Sequence, residues 1–148
     1  RRHINTSSDS EVLLNVFAHE LQNVAGLRLS PNDIFKAIER VHERAVGAYA
    51  AVALITGYGI VGFRDPHGIR PMVFGKRETP DGLEYMIASE SVALDSQGFT
   101  VERDVAPGEA VYIDVNNNLF ALFCDIQWDY PVEPIVLNWQ YLIQHHSF

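Results

Sequence analysis

The apolar residues of this 148-residue chain change their spacing once, near Gly47, and that single change limits the folds open to it. Before it, Leu13, Val16, Phe17, Leu21 and Val24 recur at helical spacing. They follow Ser8-Asp9-Ser10-Glu11, which reads as a capping box with Ser8 capping and Glu11 reaching back. Gly26 is a natural stop. Ser30-Pro31 opens a second helix, with proline at a first-turn position where its missing N–H costs nothing, and Ile34, Phe35, Ile38 and Val41 form its apolar stripe. After Gly47 the pattern is that of strands. Residues 48–56 are a continuous apolar run of strand length, expected to be buried on both faces. Further strands are expected at 60–64, 69–75, 83–89, 110–115 and 119–124. They are punctuated by Asp65-Pro66-His67-Gly68, Thr79-Pro80-Asp81-Gly82, Ala106-Pro107-Gly108-Glu109 and Asn116-Asn117-Asn118. A short helix fits 89–96, ended by Gly98. Two helices followed by turn-linked strands make an α+β layer arrangement with mostly antiparallel strands, not alternating βαβ units.

Composition narrows the function classes. With 47% hydrophobic and 20% charged residues, one packed domain is expected. A formal charge of −8 argues against a nucleic-acid surface, which needs clustered Lys and Arg. No apolar run approaches the roughly 18 residues of a membrane span, and the first residues have no apolar signal core. The single Cys124 cannot form an internal disulfide, which fits a cytoplasmic setting, and it excludes Cys-rich zinc sites. Residues 125–148 carry two Trp, two Pro and a terminal His145-His146 with weak periodicity, and read as a divergent tail of unknown role.

Each candidate motif has a plain structural reading beside its functional one. Gly57-Tyr58-Gly59-Ile60-Val61-Gly62 fits a dinucleotide fingerprint, but a strand and a Pro-Gly turn follow where a helix is required, so a hairpin with a packing glycine is preferred. Cys124 ends an apolar strand and reads as a buried structural thiol. His145-His146 lacks the spacing of a metal site. Asp9, in the first turn of helix one, complements the helix dipole, or else holds a ligand ammonium. Arg64, Asp65 and Arg70 flank the Pro-Gly turn and Glu90 opens the short helix; an ion-pair cluster fixing the hairpin against that helix is the preferred reading.

Five segments, in order, carry a family resemblance: His3 to Glu11, Phe63 to Pro71, Gly75-Lys76-Arg77, Ser89 to Asp95, and Arg103 to Ala110. Over residues 1–124 the chain resembles the bacterial-type amidophosphoribosyltransferases of purine synthesis. The resemblance implies the C-terminal part of a type 2 glutamine amidotransferase domain, itself part of a four-layer αββα N-terminal-nucleophile hydrolase sandwich. It also implies glutamine hydrolysis to ammonia, passed to phosphoribosyl pyrophosphate to give phosphoribosylamine. The family's aspartate in Thr-Ser-Asp-Ser-Glu binds the α-amino group of glutamine, a role that falls on Asp9. Arg64, Asp65, Gly68, Arg70, Pro71 and Glu90 are carried over as a structural motif.

Position one here is Arg1, where the family has its nucleophilic Cys. The family's oxyanion pair and its phosphoribosyl-binding loop, with the magnesium that serves it, have no counterpart in this sequence. No catalytic residue, metal ligand or cofactor is therefore assigned to this chain, and it is expected to be inactive alone. Its expected partners are glutamine, the N-terminal half of the domain, a phosphoribosyltransferase domain and, in the parent enzyme, further copies of itself. The alternatives are a non-catalytic assembly module, one part of a split glutaminase, or another class II glutamine amidotransferase. A half-sandwich should leave apolar sheet surface exposed.

Overall fold

The computed structural model describes residues 8–124; the 125–148 stretch, with His145-His146, lies outside the described residues. Two helices come first, α1 (Asp9–Val24) and α2 (Pro31–Arg44). The capping box belongs to α2, not α1. Ser30 Oγ accepts from the Asp33 N–H, and the Asp33 carboxylate accepts from the Ser30 N–H. Ser8 stands at the N-cap of α1 but its side chain makes no capping hydrogen bond. The sequence pattern alone could not separate the two starts, since each offers Ser followed three residues on by a carboxylate.

Seven strands and a third helix follow: β1 (Ala50–Ile55), β2 (Gly59–Arg64), β3 (Val73–Thr79), β4 (Gly82–Ala88), α3 (Ser91–Ser96), β5 (Thr100–Asp104), β6 (Glu109–Asp114) and β7 (Leu119–Phe123). They form two antiparallel sheets, β1-β2-β6-β7 and β4-β3-β5. Alternation along the strands assigns the faces. Val61 and Phe63 of β2 and Ala110 and Tyr112 of β6 pack against Phe17, Ile34, Phe35 and Ile38 of the helices. Val111, one residue out of phase, packs with Met72, Phe74 and Val105 between the sheets. The short α3 lies against β3, β4 and β5, with Leu94 fully buried. The layers thus run helices, sheet, sheet, helix, the α+β arrangement expected.

Two features differ from the sequence reading. First, β1 is covered along one face, and on the other at Ala50 but not beyond it. Ala51, Ala53 and Ile55 pack on the helix-side core, whereas Val52 and Leu54 are 53% and 74% exposed. A run of apolar residues states that both faces tolerate burial; it does not supply the second layer. Second, β3 begins at Val73, not at Ile69. The Asp65 carboxylate takes the N–H groups of His67 (2.9 Å) and Ile69 (3.3 Å), and Pro71 has none to offer, so 69–71 extend the turn.

The glycine fingerprint resolves as a hairpin. The Tyr58 N–H donates to the Ile55 carbonyl, closing the turn between β1 and β2. Gly59 has φ +145°, and a Cβ there would lie 2.0 Å from the Ile113 carbonyl oxygen of β6. Glycine is required by backbone approach between strands, and the glycines lead into strand β2 where a phosphate-binding turn would lead into a helix.

Candidate functional site

An open groove of about 1160 Å³ runs between α1, the 45–49 loop and β1. Asp9, in the first turn of α1, lines it, as do Arg70 and Pro71 from the turn after β2. Glu90, the N-cap of α3, closes another side, and Tyr49 and Phe63 supply aromatic lining. The groove therefore gathers Asp9, Arg70, Pro71 and Glu90 across some 80 residues of sequence. Its lining thus combines the carboxylates of Asp9 and Glu90 and the guanidiniums of Arg44 and Arg70 with apolar side chains of α1 and β1.

Arg64, Asp65 and Gly68 act behind this wall. Asp65 is fully buried, and its carboxylate is held by the backbone N–H groups of Tyr49, His67 and Ile69. Its carbonyl accepts from Gly68 and Gly108. The Arg64 guanidinium donates to the Val105 carbonyl and to the Gly68 carbonyl (2.5 Å). The expected ion-pair cluster is thus corrected. Among the described residues the ion pairs join Arg40 and Arg44 to Glu20, Lys76 to Glu102, Arg77 to Glu84, and Arg103 to Glu109; none joins Arg64, Asp65 or Arg70 to Glu90. Backbone groups satisfy the Asp65 carboxylate because a tight Asp-Pro turn turns its own N–H groups inward, within reach of the Asp side chain.

Cys124 is no nucleophile. It is buried at the end of β7, and burial, reinforced by the Glu39 carboxylate, pushes its thiol up to about 12. The sequence reading missed Tyr49 and His42. Tyr49 lines the groove, and its hydroxyl lies 2.5 Å from Nδ1 of the fully buried His42. No local spacing announces the pair, because it is made by the end of one helix and the start of a strand. Among the described residues no group of His, Cys, Asp and Glu is placed to hold a metal ion, and no helix is long and apolar enough to cross a membrane.

The amidophosphoribosyltransferase of Pseudomonas aeruginosa is 64% identical to this chain over 123 residues, covering 83% of the chain. The chain is homologous to a partial region of amidophosphoribosyltransferase. The Schizosaccharomyces pombe amidophosphoribosyltransferase is 55% identical over 116 residues. The Escherichia coli amidophosphoribosyltransferase is 52% identical over 150 aligned positions that cover the whole chain, so that alignment also takes in residues 125–148. The chain spans about a quarter of the length of these relatives: 25%, 22% and 29%. No protein-family profile matches it. Among solved structures, the glutamine phosphoribosylpyrophosphate amidotransferase of B. subtilis, complexed with ADP and GMP, superposes with a TM-score of 0.61 at 27% identity. It covers 84% of this chain, which in turn covers 24% of it. A structure described as the allosteric regulatory enzyme of purine biosynthesis gives 0.62 at 26% identity. The fold is that of an N-terminal-nucleophile hydrolase of the amidophosphoribosyltransferase kind, seen in part.

Proposed function

We propose that residues 1–124 contribute the amino-group end of a glutamine site in an amidophosphoribosyltransferase, a cytoplasmic enzyme that hydrolyses glutamine and passes the ammonia to phosphoribosyl pyrophosphate. The observation that carries this reading is the groove in which Asp9 meets Arg70 and Glu90 on a segment 64% identical to such an enzyme. In it the Asp9 carboxylate accepts hydrogen bonds from the substrate ammonium, held at a fixed point by the first turn of α1. Arg64 and Asp65 position the wall that presents Arg70. The attacking thiol, the oxyanion donors and the phosphoribosyl site, with its magnesium, come from other parts of the enzyme, so no step through a metal is assigned to these residues. Assembly into oligomers belongs to that whole enzyme.

A chimera tests the reading. Residues 1–124 replace the aligned segment of the Pseudomonas relative, and ammonia release from glutamine is measured. The chimera is expected to hydrolyse glutamine, and Asp9→Asn within it to raise KM for glutamine at least tenfold. A folded chimera without hydrolysis refutes the assignment to this enzyme. An unchanged KM refutes the role of Asp9. The 148-residue chain alone is expected to release no ammonia above background, since its one thiol is buried and protonated.

A further inference from the structure

Asp65 is fully buried, so its side chain does not reach a molecule in the groove. It nevertheless holds two stretches of the groove's lining that the sequence separates by all of β1 and β2. One is the 45–49 loop. The Tyr49 carbonyl accepts from the Asp65 N–H (2.9 Å), and the Tyr49 N–H donates to the Asp65 carboxylate (3.3 Å). The other is the turn that runs into Arg70 and Pro71. There the same carboxylate accepts from the N–H groups of His67 (2.9 Å) and Ile69 (3.3 Å). The Asp65 carbonyl accepts from Gly68 and from Gly108, at 3.0 Å each, which ties the same point to the turn before β6.

The two carboxylate oxygens divide the work. Oδ1 takes the His67 N–H, and Oδ2 takes those of Tyr49 and Ile69 together, so one atom is shared by the loop and the turn. An ionised carboxylate accepts at both oxygens and donates at neither, which suits three converging N–H groups. Asparagine has the same shape but one acceptor oxygen, and its amino group would face whichever N–H groups the oxygen does not take. Among the described residues Asp65 makes no ion pair. A buried charge is costly to place, and this one stands where a neutral side chain of the same shape would leave part of the groove's lining untied.

We propose that Asp65 is a positioning residue for substrate binding: its carboxylate is the joint that fixes the Tyr49 loop relative to the turn carrying Arg70. It acts through those two segments and touches no ligand itself. What the groove takes rests on the glutamine reading above; the joint does not. Loosening it lets Tyr49 and Arg70 drift apart, which weakens binding of a ligand held between them. The chemical step is spared, because the attacking thiol and the oxyanion donors belong to other parts of the enzyme.

The joint is read by amide hydrogen exchange in the 148-residue chain. In Asp65→Ala the Tyr49, His67 and Ile69 amides should exchange roughly tenfold faster or more, while Val111, between the sheets, keeps its protection. In Asp65→Asn the loss should fall on His67, or on Tyr49 and Ile69 together, according to how the amide is turned. Unchanged amides, or Tyr49 parted from Ile69 in Asp65→Asn, overturn the joint. If Asp65→Ala does not fold, Asp65→Asn decides; if neither folds, Asp65 holds the whole domain and not the groove, and the proposal falls. The substrate side is read in the chimera described above. There Asp65→Asn should raise KM for glutamine roughly fivefold or more with kcat kept within about twofold, whereas mere loss of folded enzyme lowers kcat and leaves KM alone. An unmoved KM, or a kcat that falls as far as KM rises, overturns the positioning role. A chimera that without the substitution hydrolyses no glutamine overturns the glutamine reading instead, and the exchange experiment then decides the joint.

Discussion

The two faces of the first sheet are made by the same strands, yet they end in different states. On the helix side, eleven buried residues from α1, α2, β2, β6 and the end of β7 form one closed cluster, with Phe63 at its centre in contact with the rings of Phe17, Tyr49 and His42. On the other side, among the described residues, Met72, Phe74, Val105 and Val111 form a smaller buried cluster. Towards β1 that second layer gives way to exposed Val52, Leu54 and Ile60. A helix pair can seal a sheet from sequence-local material, because α1 and α2 follow each other directly. The opposite sheet is assembled from strands spread over residues 73–104, and here it covers β6 but reaches β1 at Ala50 and leaves Val52 and Leu54 exposed. Completeness of a core therefore differs within 10 Å of the same backbone.

Four measurements bear on this contrast. The largest effect is expected from Phe63→Ala, which removes a fully buried ring from the closed cluster and should cost about 3–5 kcal/mol in urea unfolding. A loss under about 1 kcal/mol would mean that this core is not the one that holds the chain together. Acid comes next. His42 has a folded-state pKa of about 4, below its ordinary 6.5, so the unfolded chain binds the proton more tightly. The neutral ring's contribution is full above pH 6.5 and is lost as pH falls from there towards 4. The loss accumulated by pH 4 amounts to roughly 3 kcal/mol. His42→Gln should flatten that part of the stability–pH curve. A smaller effect belongs to Glu109→Gln at the sheet–sheet side. Glu109 is fully buried and accepts from Arg103 at 2.6 and 2.7 Å and from the Ala106 N–H at 2.7 Å. Arg103 is half exposed and can turn to water, so the loss should be about 2 kcal/mol and not the full cost of stranding a buried charge. The smallest effect is the sharpest test of the open side. Leu54→Lys, at a position 74% exposed, should change the stability of this chain by less than about 0.5 kcal/mol. A loss of 2 kcal/mol or more would show that Leu54 is covered and that the contrast between the two faces is false.

The elements were largely legible because the signals that make them are short-ranged. The Ser30-Pro31 start, the helical stripe ending at Val41 and the turn residues at 65–68, 79–82 and 106–109 each act within a few residues, and each lies where expected. What failed were statements about neighbours. The strand at 69–75 was displaced because a side chain four residues back captured the Ile69 N–H. Arg64, Asp65, Arg70 and Glu90 suggest ion pairs from their charges alone, as a cluster fixing the hairpin against the short helix. In the fold, backbone groups hold the Asp65 carboxylate and the two terminal nitrogens of Arg64, and Arg70 and Glu90 line the groove.

Asp9 marks the boundary between the two kinds of knowledge. The sequence placed it in the first turn of a helix, and through its flanking motif tied it to the amidophosphoribosyltransferases. Only the tertiary structure put Arg70, Glu90 and Tyr49 around it, some 40 to 80 residues away along the chain. Likewise the sequence determined that β1 is apolar throughout, and the fold decided that beyond Ala50 just one of its faces is covered. The physical reason is the same in both cases. Propensity, capping and turn chemistry are properties of neighbouring residues, whereas burial and the making of a groove depend on which layer lies across the way.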